Sequence, residues 1–287
     1  MDGRFTRKNL YVAGSHTTDP PSPITYSIVV SRDSIRIAFT IADLKDVEIN
    51  AADIDTEYLN AKCREKIWTV AGTEYGGEKG KVMLVVHALY GLKSSGAAWR
   101  QILAQTLRDL GYVSYKADPE VWLKSKPKPD GTEYYAYVLV YVDDILHLHH
   151  DPDTFMNRLA EVYMLKDGSG REPGIYLRAK IEKVQLDDGS VEWSMKSREY
   201  ITNAIQNLEY TLACDGAQPL NIFVKKSGER PFPSNYRPKL EVSPVSDNTL
   251  MSRYLQLIGV LRWSIEFIRI NIMEEVSILS QHQCQPR

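Results

Sequence analysis

At 287 residues the chain is long enough for a sizeable hydrophobic core, in one large domain or two subdomains. Its 43% hydrophobic and 25% charged residues fit an ordinary soluble globular protein and exclude a fibrous or low-complexity one. The 35 basic and 37 acidic side chains leave a formal net charge of -2, so a nucleic-acid partner would have to be met by a local groove rather than a global positive field.

Residues 1–8 contain no apolar run that would serve as a secretory signal. Residues 31–44 set Ile35, Ala38, Phe39, Ile41 and Leu44 at helical spacing behind the polar starters Ser31 and Asp33. Residues 47–55 read as a strand, and 66–70 and 82–89 as two more. A helix is predicted over 95–110, with Trp99, Ile102, Leu103, Leu107 and Leu110 on one face and Gly111 as its stop. Strands follow at 120–124 and 133–142, divided by the turn cluster Pro127, Pro129, Asp130 and Gly131, and a short strand returns over 145–149. Asp151-Pro152 reads as an N-cap with proline at the first helical position, opening a helix to Leu165. A hairpin over 176–185 and 191–195 turns at Asp187-Asp188-Gly189, and a helix covers 197–208. Five prolines and Gly228 make 213–247 an irregular linker, beyond which 250–267 and 272–281 have helical periodicity.

The apolar runs 82–92 and 134–146 are too short to span a bilayer, so no membrane association is expected. Cys63, Cys214 and Cys284 lack ligand spacing and read as reduced thiols in a cytosolic or nuclear protein. His147 and His149 fall on one strand face, but no carboxylate or cysteine stands at ligand spacing. They read as a partly exposed strand edge.

The densest chemistry is in Tyr137-Val138-Leu139-Val140-Tyr141-Val142-Asp143-Asp144-Ile145-Leu146, where two apolar runs meet at adjacent aspartates with no glycine or asparagine at the tip. Such carboxylates repel one another, and a hard divalent cation such as magnesium removes that repulsion. The bland alternative is a solvated hairpin turn, in which aspartate is common. Asp53, near the end of the 47–55 strand, offers a further carboxylate, and Tyr58 follows five residues later. Together Asp53, Asp143 and Asp144 form a candidate cluster at adjacent strand ends.

Tyr141-Val142-Asp143-Asp144 resembles the signature tetrapeptide of reverse transcriptases, and the wider text resembles the copia-type long-terminal-repeat retrotransposon family. The blocks that carry the likeness are Asp53-Ile54-Asp55-Thr56-Glu57-Tyr58-Leu59-Asn60, the run from Leu89-Tyr90-Gly91-Leu92-Lys93 to Ala98-Trp99, Ala117-Asp118-Pro119, and Leu257-Ile258-Gly259-Val260-Leu261. They occur in family order and extend the resemblance over about residues 8–280. It implies an α+β fold of right-hand polymerase type: fingers and palm over 1–170, a palm-end hairpin and the start of a thumb over 171–212, the linker 213–247, and a helical C-terminal segment over 248–287.

The implied activity is RNA-directed DNA polymerisation by two-metal nucleotidyl transfer to a primer 3′-hydroxyl. Asp53, Asp143 and Asp144 would hold Mg2+, with Mn2+ as the alternative ion. Tyr58 would lie beneath the incoming sugar and exclude a 2′-hydroxyl, or else be a core tyrosine. Lys8 would help bind the triphosphate, or simply be solvated. Gly91, Lys93 and Ser95 would approach the template and primer, and Ser95 also reads as a helix N-cap. The implied partners are an RNA template, a DNA primer and deoxynucleoside triphosphates, in a cytoplasmic or nuclear retrotransposon particle; oligomeric state is not readable.

The sequence also departs from the family. Leu10 stands where an arginine is usual, Glu57 replaces the small residue before the aromatic gate, the Phe-Leu-Gly turn reads Tyr176-Leu177-Arg178, and Arg-Pro-Asp-Ile reads Arg269-Ile270-Asn271-Ile272. A carboxylate at 57 is expected to repel a triphosphate. The chain starts with the fingers under way and stops before a ribonuclease H segment, as a polyprotein fragment would. The alternative reading is an inactive remnant that binds nucleic acid or serves only as a structural module.

Overall fold

The computed structural model describes residues 16–17, 27–128, 130–166, 175–214, 245–267, 269–284 and 286. Lys8, Leu10 and most of the expected 213–247 linker lie outside them. The chain divides into two compact units, Met1–Tyr176 and Leu177–Arg287, with a mixed helix-and-sheet architecture.

The first unit is built on a five-stranded antiparallel sheet in the order β2-β8-β7-β6-β5. Its strands are β2 (Glu48–Asp53), β5 (Val113–Ser114), β6 (Val121–Pro127), β7 (Glu133–Tyr141) and β8 (Asp144–His149). A smaller sheet has the order β1-β3-β4, from β1 (His16–Thr17), β3 (Ile67–Val70) and β4 (Val82–Leu84). The expected 82–89 strand ends early because its second half turns to bond with 61–63: Cys63 N–H donates to the Val86 carbonyl at 3.0 Å, and Ala88 N–H to Ala61 at 2.9 Å.

Helix α1 (Arg32–Lys45) is capped by Ser31, whose hydroxyl accepts the Ser34 N–H at 3.1 Å. Asp118 accepts the Ser31 N–H at 2.9 Å and the Ser34 hydroxyl at 2.6 Å. Burial alone would raise the Asp118 pKa, but these donors outweigh it and hold the carboxyl below its ordinary range. Helix α2 (Ser95–Asp109) stops at Gly111, whose φ of 86° favours glycine.

Alternate residues of β2, β7 and β8 (Ala52, Ile54, Val138, Val140 and Ile145) join Trp99, Leu103 and Leu107 of α2 in the core. Phe155, Met156 and Leu159 of α3 (Pro152–Val162) complete it. This helix is shorter than the expected 151–165 because Tyr163 turns extended and Leu165 bridges to Ile54. The last short strand of this unit, β9 (Ile175–Tyr176), carries the buried Tyr176.

The histidines are not at a strand edge. β8 lies between β2 and β7, and His147 and His149 are 0% and 9% exposed. Their rings stack with centroids 5.3 Å apart. Nε2 of His147 bonds the Tyr112 hydroxyl at 3.0 Å and Nε2 of His149 the Tyr134 hydroxyl at 2.9 Å. The alternation was legible in the sequence; burial of both sheet faces was not.

The second unit contains the hairpin β10 (Ala179–Gln185) and β11 (Val191–Lys196), paired from Lys180↔Lys196 to Gln185↔Val191, with Gly189 at φ 87° in the turn. Helix α4 (Arg198–Cys214) outruns the expected 197–208 because no glycine or proline interrupts it before Gly216. Helices α5 (Asn248–Phe267) and α6 (Met273–Ser280) follow, joined where the Tyr254 hydroxyl donates to the Leu279 carbonyl at 2.6 Å. The Cys63 Sγ–H donates to the Glu65 carbonyl at 3.2 Å, and among the described residues no helix is long and apolar enough to cross a membrane.

The buried histidines couple stability to pH. Burial holds His147 well below its ordinary range, aided by repulsion from His149; burial and then Lys126 push His149 down to about 4. The folded state therefore keeps these rings neutral while the unfolded chain takes up protons below about pH 6.5. Unfolding free energy should be constant above that value and fall as pH drops from about 6.5 towards 4, by on the order of 3 kcal/mol for His149 alone. Urea denaturation at pH 7, 6 and 5 measures the slope, which should flatten in His149→Gln.

Candidate active site

The site grows out of the end of β2. In the β2–β8 register Asp53 stands directly opposite Asp144, and in the β7–β8 hairpin Asp144 pairs with Tyr141. Directly opposed residues share a sheet face, so Asp53 and Asp144 lie on one face, away from the core face of Ala52 and Ile145. Asp143 is in the tight turn between. Val142, the first central residue of that turn, has φ 60°. A positive φ at this position matches a type II′ turn, where glycine is usual, and a β-branched residue there is strained by about 1–3 kcal/mol.

Bonds from outside the hairpin hold the turn. The Ile54 N–H donates to the Asp143 carbonyl at 3.0 Å, and the indole Nε1–H of buried Trp99 donates to the Val142 carbonyl at 2.8 Å. The core role expected of Trp99 is therefore combined with a polar one.

On its other flank the end of β2 meets the segment after α3. Ile54 bridges to Leu165, and Asp55 N–H donates to the Met164 carbonyl at 2.8 Å. This brings Lys166 to the carboxylates. Its Nζ lies 2.6 and 2.7 Å from the two Asp53 oxygens and 3.7 Å from Asp143 Oδ2. Burial raises the Asp143 pKa, the Asp53 charge adds to this, and Lys166 opposes it. Burial alone would lower the Lys166 pKa, but Asp53, Asp143 and Glu57 outweigh it. Sequence reading missed Lys166; its only signal was a basic residue just past the predicted helix end.

After Thr56, itself left-handed at φ 51°, Glu57–Asn60 form a short 3-10 helix. Tyr58 is half-buried against the core, and its ring centroid lies 4.7 Å from that of Tyr90. Glu57 points inward rather than into a solvent-facing nucleotide space: it is 3% exposed and its carboxylate accepts the Tyr90 hydroxyl. Burial raises the Glu57 pKa, with Asp143 adding and Tyr90 opposing; Tyr58 and Tyr90 are raised too, first by burial and then by Glu57. The carboxylate expected to repel a triphosphate is thus buried and partnered.

Tyr90 opens the loop that enters α2. Gly91 takes φ 92°, and Lys93 is exposed. Ser95 does not cap the helix. The N-cap position is Ser94, and the buried Ser95 hydroxyl instead donates to the Leu89 carbonyl at 2.7 Å and accepts the Leu89 N–H at 3.1 Å, closing the loop. With that hydroxyl spent inside the loop, Ser95 has only backbone to offer a nucleic-acid strand.

Among the described residues no group of three His, Cys, Asp or Glu side chains is drawn together as a ready metal cage. The donor chemistry nevertheless fits a hard cation. Asp53 and Asp143 already converge on one positive group, the Lys166 ammonium, through oxygen atoms of the kind magnesium prefers.

A strained two-residue turn beside adjacent aspartates, registered against a third on the neighbouring strand, defines a protein with an acidic site at the ends of adjacent strands. Comparison with known proteins identifies its class. Residues 11–221 match the family described as reverse transcriptase (RNA-dependent DNA polymerase), and the chain belongs to that family. It is 25% identical over 91% of its length to a retrovirus-related Pol polyprotein from transposon RE1 of Arabidopsis thaliana, covering 16% of that protein. It is 22% identical over 89% of its length to the Pol polyprotein from transposon TNT 1-94 of Nicotiana tabacum, covering 18% of it. A protein named for transposon Ty5-1 in Saccharomyces cerevisiae is 25% identical over 82% of this chain and 70% of its own length. The chain thus spans less than a fifth of the two plant polyproteins. These relatives agree with the copia-type resemblance. No solved structure matches significantly.

The turn's support can be measured. Trp99 and Trp122 are 1% and 2% exposed, but the Trp122 indole N–H has no hydrogen-bond partner among the described residues. Trp99→Phe and Trp122→Phe remove the same volume, but only the first removes the bond to Val142. Trp99→Phe should cost about 1–3 kcal/mol more in urea denaturation.

Proposed function

We propose that the chain carries the active site of an RNA-directed DNA polymerase, with Asp53, Asp143 and Asp144 as its metal-binding carboxylates. The observation that carries this reading is the convergence of Asp53 and Asp143 on a single cation at the tip of the β7–β8 hairpin. Stability alone gives no reason to gather like charges there. Magnesium, or manganese in its place, would be held by these three residues and would supply positive charge to a primer 3′-hydroxyl and a departing pyrophosphate. Lys166, which stands beside two of these carboxylates, would offer a positive charge to a nearby phosphate.

The other roles follow from position. Tyr58 fits the floor beneath an incoming sugar, five residues past Asp53 at the strand end. Gly91 and Lys93, with the backbone at Ser95, fit the approach of template and primer, and the exposed Lys93 suits a phosphate. Lys8 keeps the triphosphate role implied by the resemblance. The first unit fits a palm with part of the fingers, and the second a thumb or connection. The substrates on this reading are an RNA template, a DNA primer and deoxynucleoside triphosphates.

The test is primer extension on a homopolymeric RNA template, beside filter binding of the same primer-template. The parent should extend with magnesium or manganese and stop with chelator. Asp143→Asn should lose at least about a hundredfold of that rate, because it removes both a ligand and the charge that attracts the ion. Binding without extension would identify a nucleic-acid-binding remnant; neither binding nor extension would leave a structural module.

A further inference from the structure

Glu57 is an ionisable side chain only 3% exposed, with the Asp143 carboxylate nearby, so its position has to be compensated. The compensation comes from Tyr90, whose hydroxyl donates to the Glu57 carboxylate from the far side of the site loop. Tyr90 is otherwise poorly held: it is 48% exposed, and it precedes a glycine at φ 92°. Its ring nevertheless meets that of Tyr58 at 4.7 Å and an interplanar angle of 58°. Glu57 and Tyr58 are consecutive on one 3-10 turn, so Tyr90 is gripped twice by the same short element, once by its hydroxyl and once by its ring. The loop behind it is closed by the Ser95 hydroxyl on Leu89.

We infer that Glu57 is a positioning residue for nucleotide selection: its buried carboxylate holds the Tyr90 ring against the Tyr58 ring, making the two rings one rigid wall beside Asp143. The inference rests on the polymerase reading and deepens it. A ring that discriminates between sugars by contact does so only while it is held still, since an aromatic side chain free to tilt would make room for a 2′-hydroxyl. Tyr58 is only half-buried, and core packing fixes one side of it. Tyr90 fixes another side, and Glu57 fixes Tyr90. Substitution at 57 is therefore expected to act on selectivity, in the direction opposite to a simple repulsion of triphosphate by its charge.

The experiment measures single-nucleotide incorporation on a primed RNA template, with a deoxynucleoside triphosphate and its ribonucleoside counterpart, for the parent, Glu57→Ala, Glu57→Gln and Tyr90→Phe. Glu57→Ala and Tyr90→Phe should each raise the KM for the deoxynucleotide and narrow the deoxy-to-ribo ratio of kcat/KM by about tenfold, with a much smaller change in kcat. Glu57→Gln keeps an oxygen that can accept the Tyr90 hydroxyl and should retain most of the parent's selectivity. Tyr90→Phe removes one hydroxyl from a half-exposed ring, so it carries the test even where Glu57→Ala does not fold. A lower KM in Glu57→Ala would restore the repulsion account and overturn the inference, as would an unchanged sugar ratio in Tyr90→Phe. A parent that incorporates neither nucleotide overturns the polymerase reading itself, and the inference with it.

Discussion

The β7–β8 turn holds Val142 in a conformation that a β-branched residue resists, and the geometry of the acidic site depends on that turn. Left to the hairpin alone, the strain could be relieved by a register shift or a looser loop. A shift of one residue would turn Asp144 to the opposite face and leave Asp53 without a counterpart. Two bonds from outside the hairpin prevent this, one from the Ile54 N–H to Asp143 and one from the Trp99 indole to Val142. The first ties the turn to the strand carrying Asp53. The second ties it to the helix whose entry loop carries Tyr90, Gly91 and Lys93. Carboxylates and aromatic wall are thereby referred to the same few backbone atoms.

Electrostatics then explains why the segment after α3 is where it is. Half-buried carboxylates on adjacent strands repel, and the raised Asp143 pKa is partly that repulsion. Lys166 relieves it, and its placement costs little backbone order because the Ile54–Leu165 bridge already fixes the preceding residue. The ammonium offers a single charge on a flexible stem, whereas a divalent ion offers twice the charge with defined coordination. On the polymerase reading proposed above, carboxylates satisfied by a lysine would also be able to accept a stronger cation.

Much of this was legible in the sequence, for identifiable reasons. The helix at 32–45 was readable because its cap, its acidic first turn and its apolar spacing agree. The hairpin carrying Asp143 and Asp144 was readable from two apolar runs meeting at charge. The pairing of Asp53 with Asp144 is a contact between residues 91 positions apart; acidic strand ends made it a candidate, and the family resemblance strengthened the expectation. Lys166, the burial of His147 and the inward turn of Glu57 were not readable, because each depends on which neighbours tertiary packing supplies. Glu57 shows this most directly: as text it is an anion after a turn, and only the fold brings Tyr90 to it.

A departure from a family pattern can be built into the fold. A glutamate in place of a small residue looks like erosion of a nucleotide site, and so does Arg178 in place of glycine in the Tyr176-Leu177-Arg178 turn. Arg178 does take φ 66°, so the backbone there still makes the demand that a glycine would meet without strain. Its guanidinium lies 5.8 Å from the centre of the Tyr200 ring, a favourable contact that glycine could not make. Both substitutions are therefore bonded into their surroundings rather than left unsatisfied. The hydroxyl that meets Glu57 belongs to Tyr90, a residue of the family block itself, so the fold already held a donor for a carboxylate at 57. Contacts at each site show how the fold accommodates these residues, with Tyr90 partnering Glu57 and the Tyr200 ring facing Arg178.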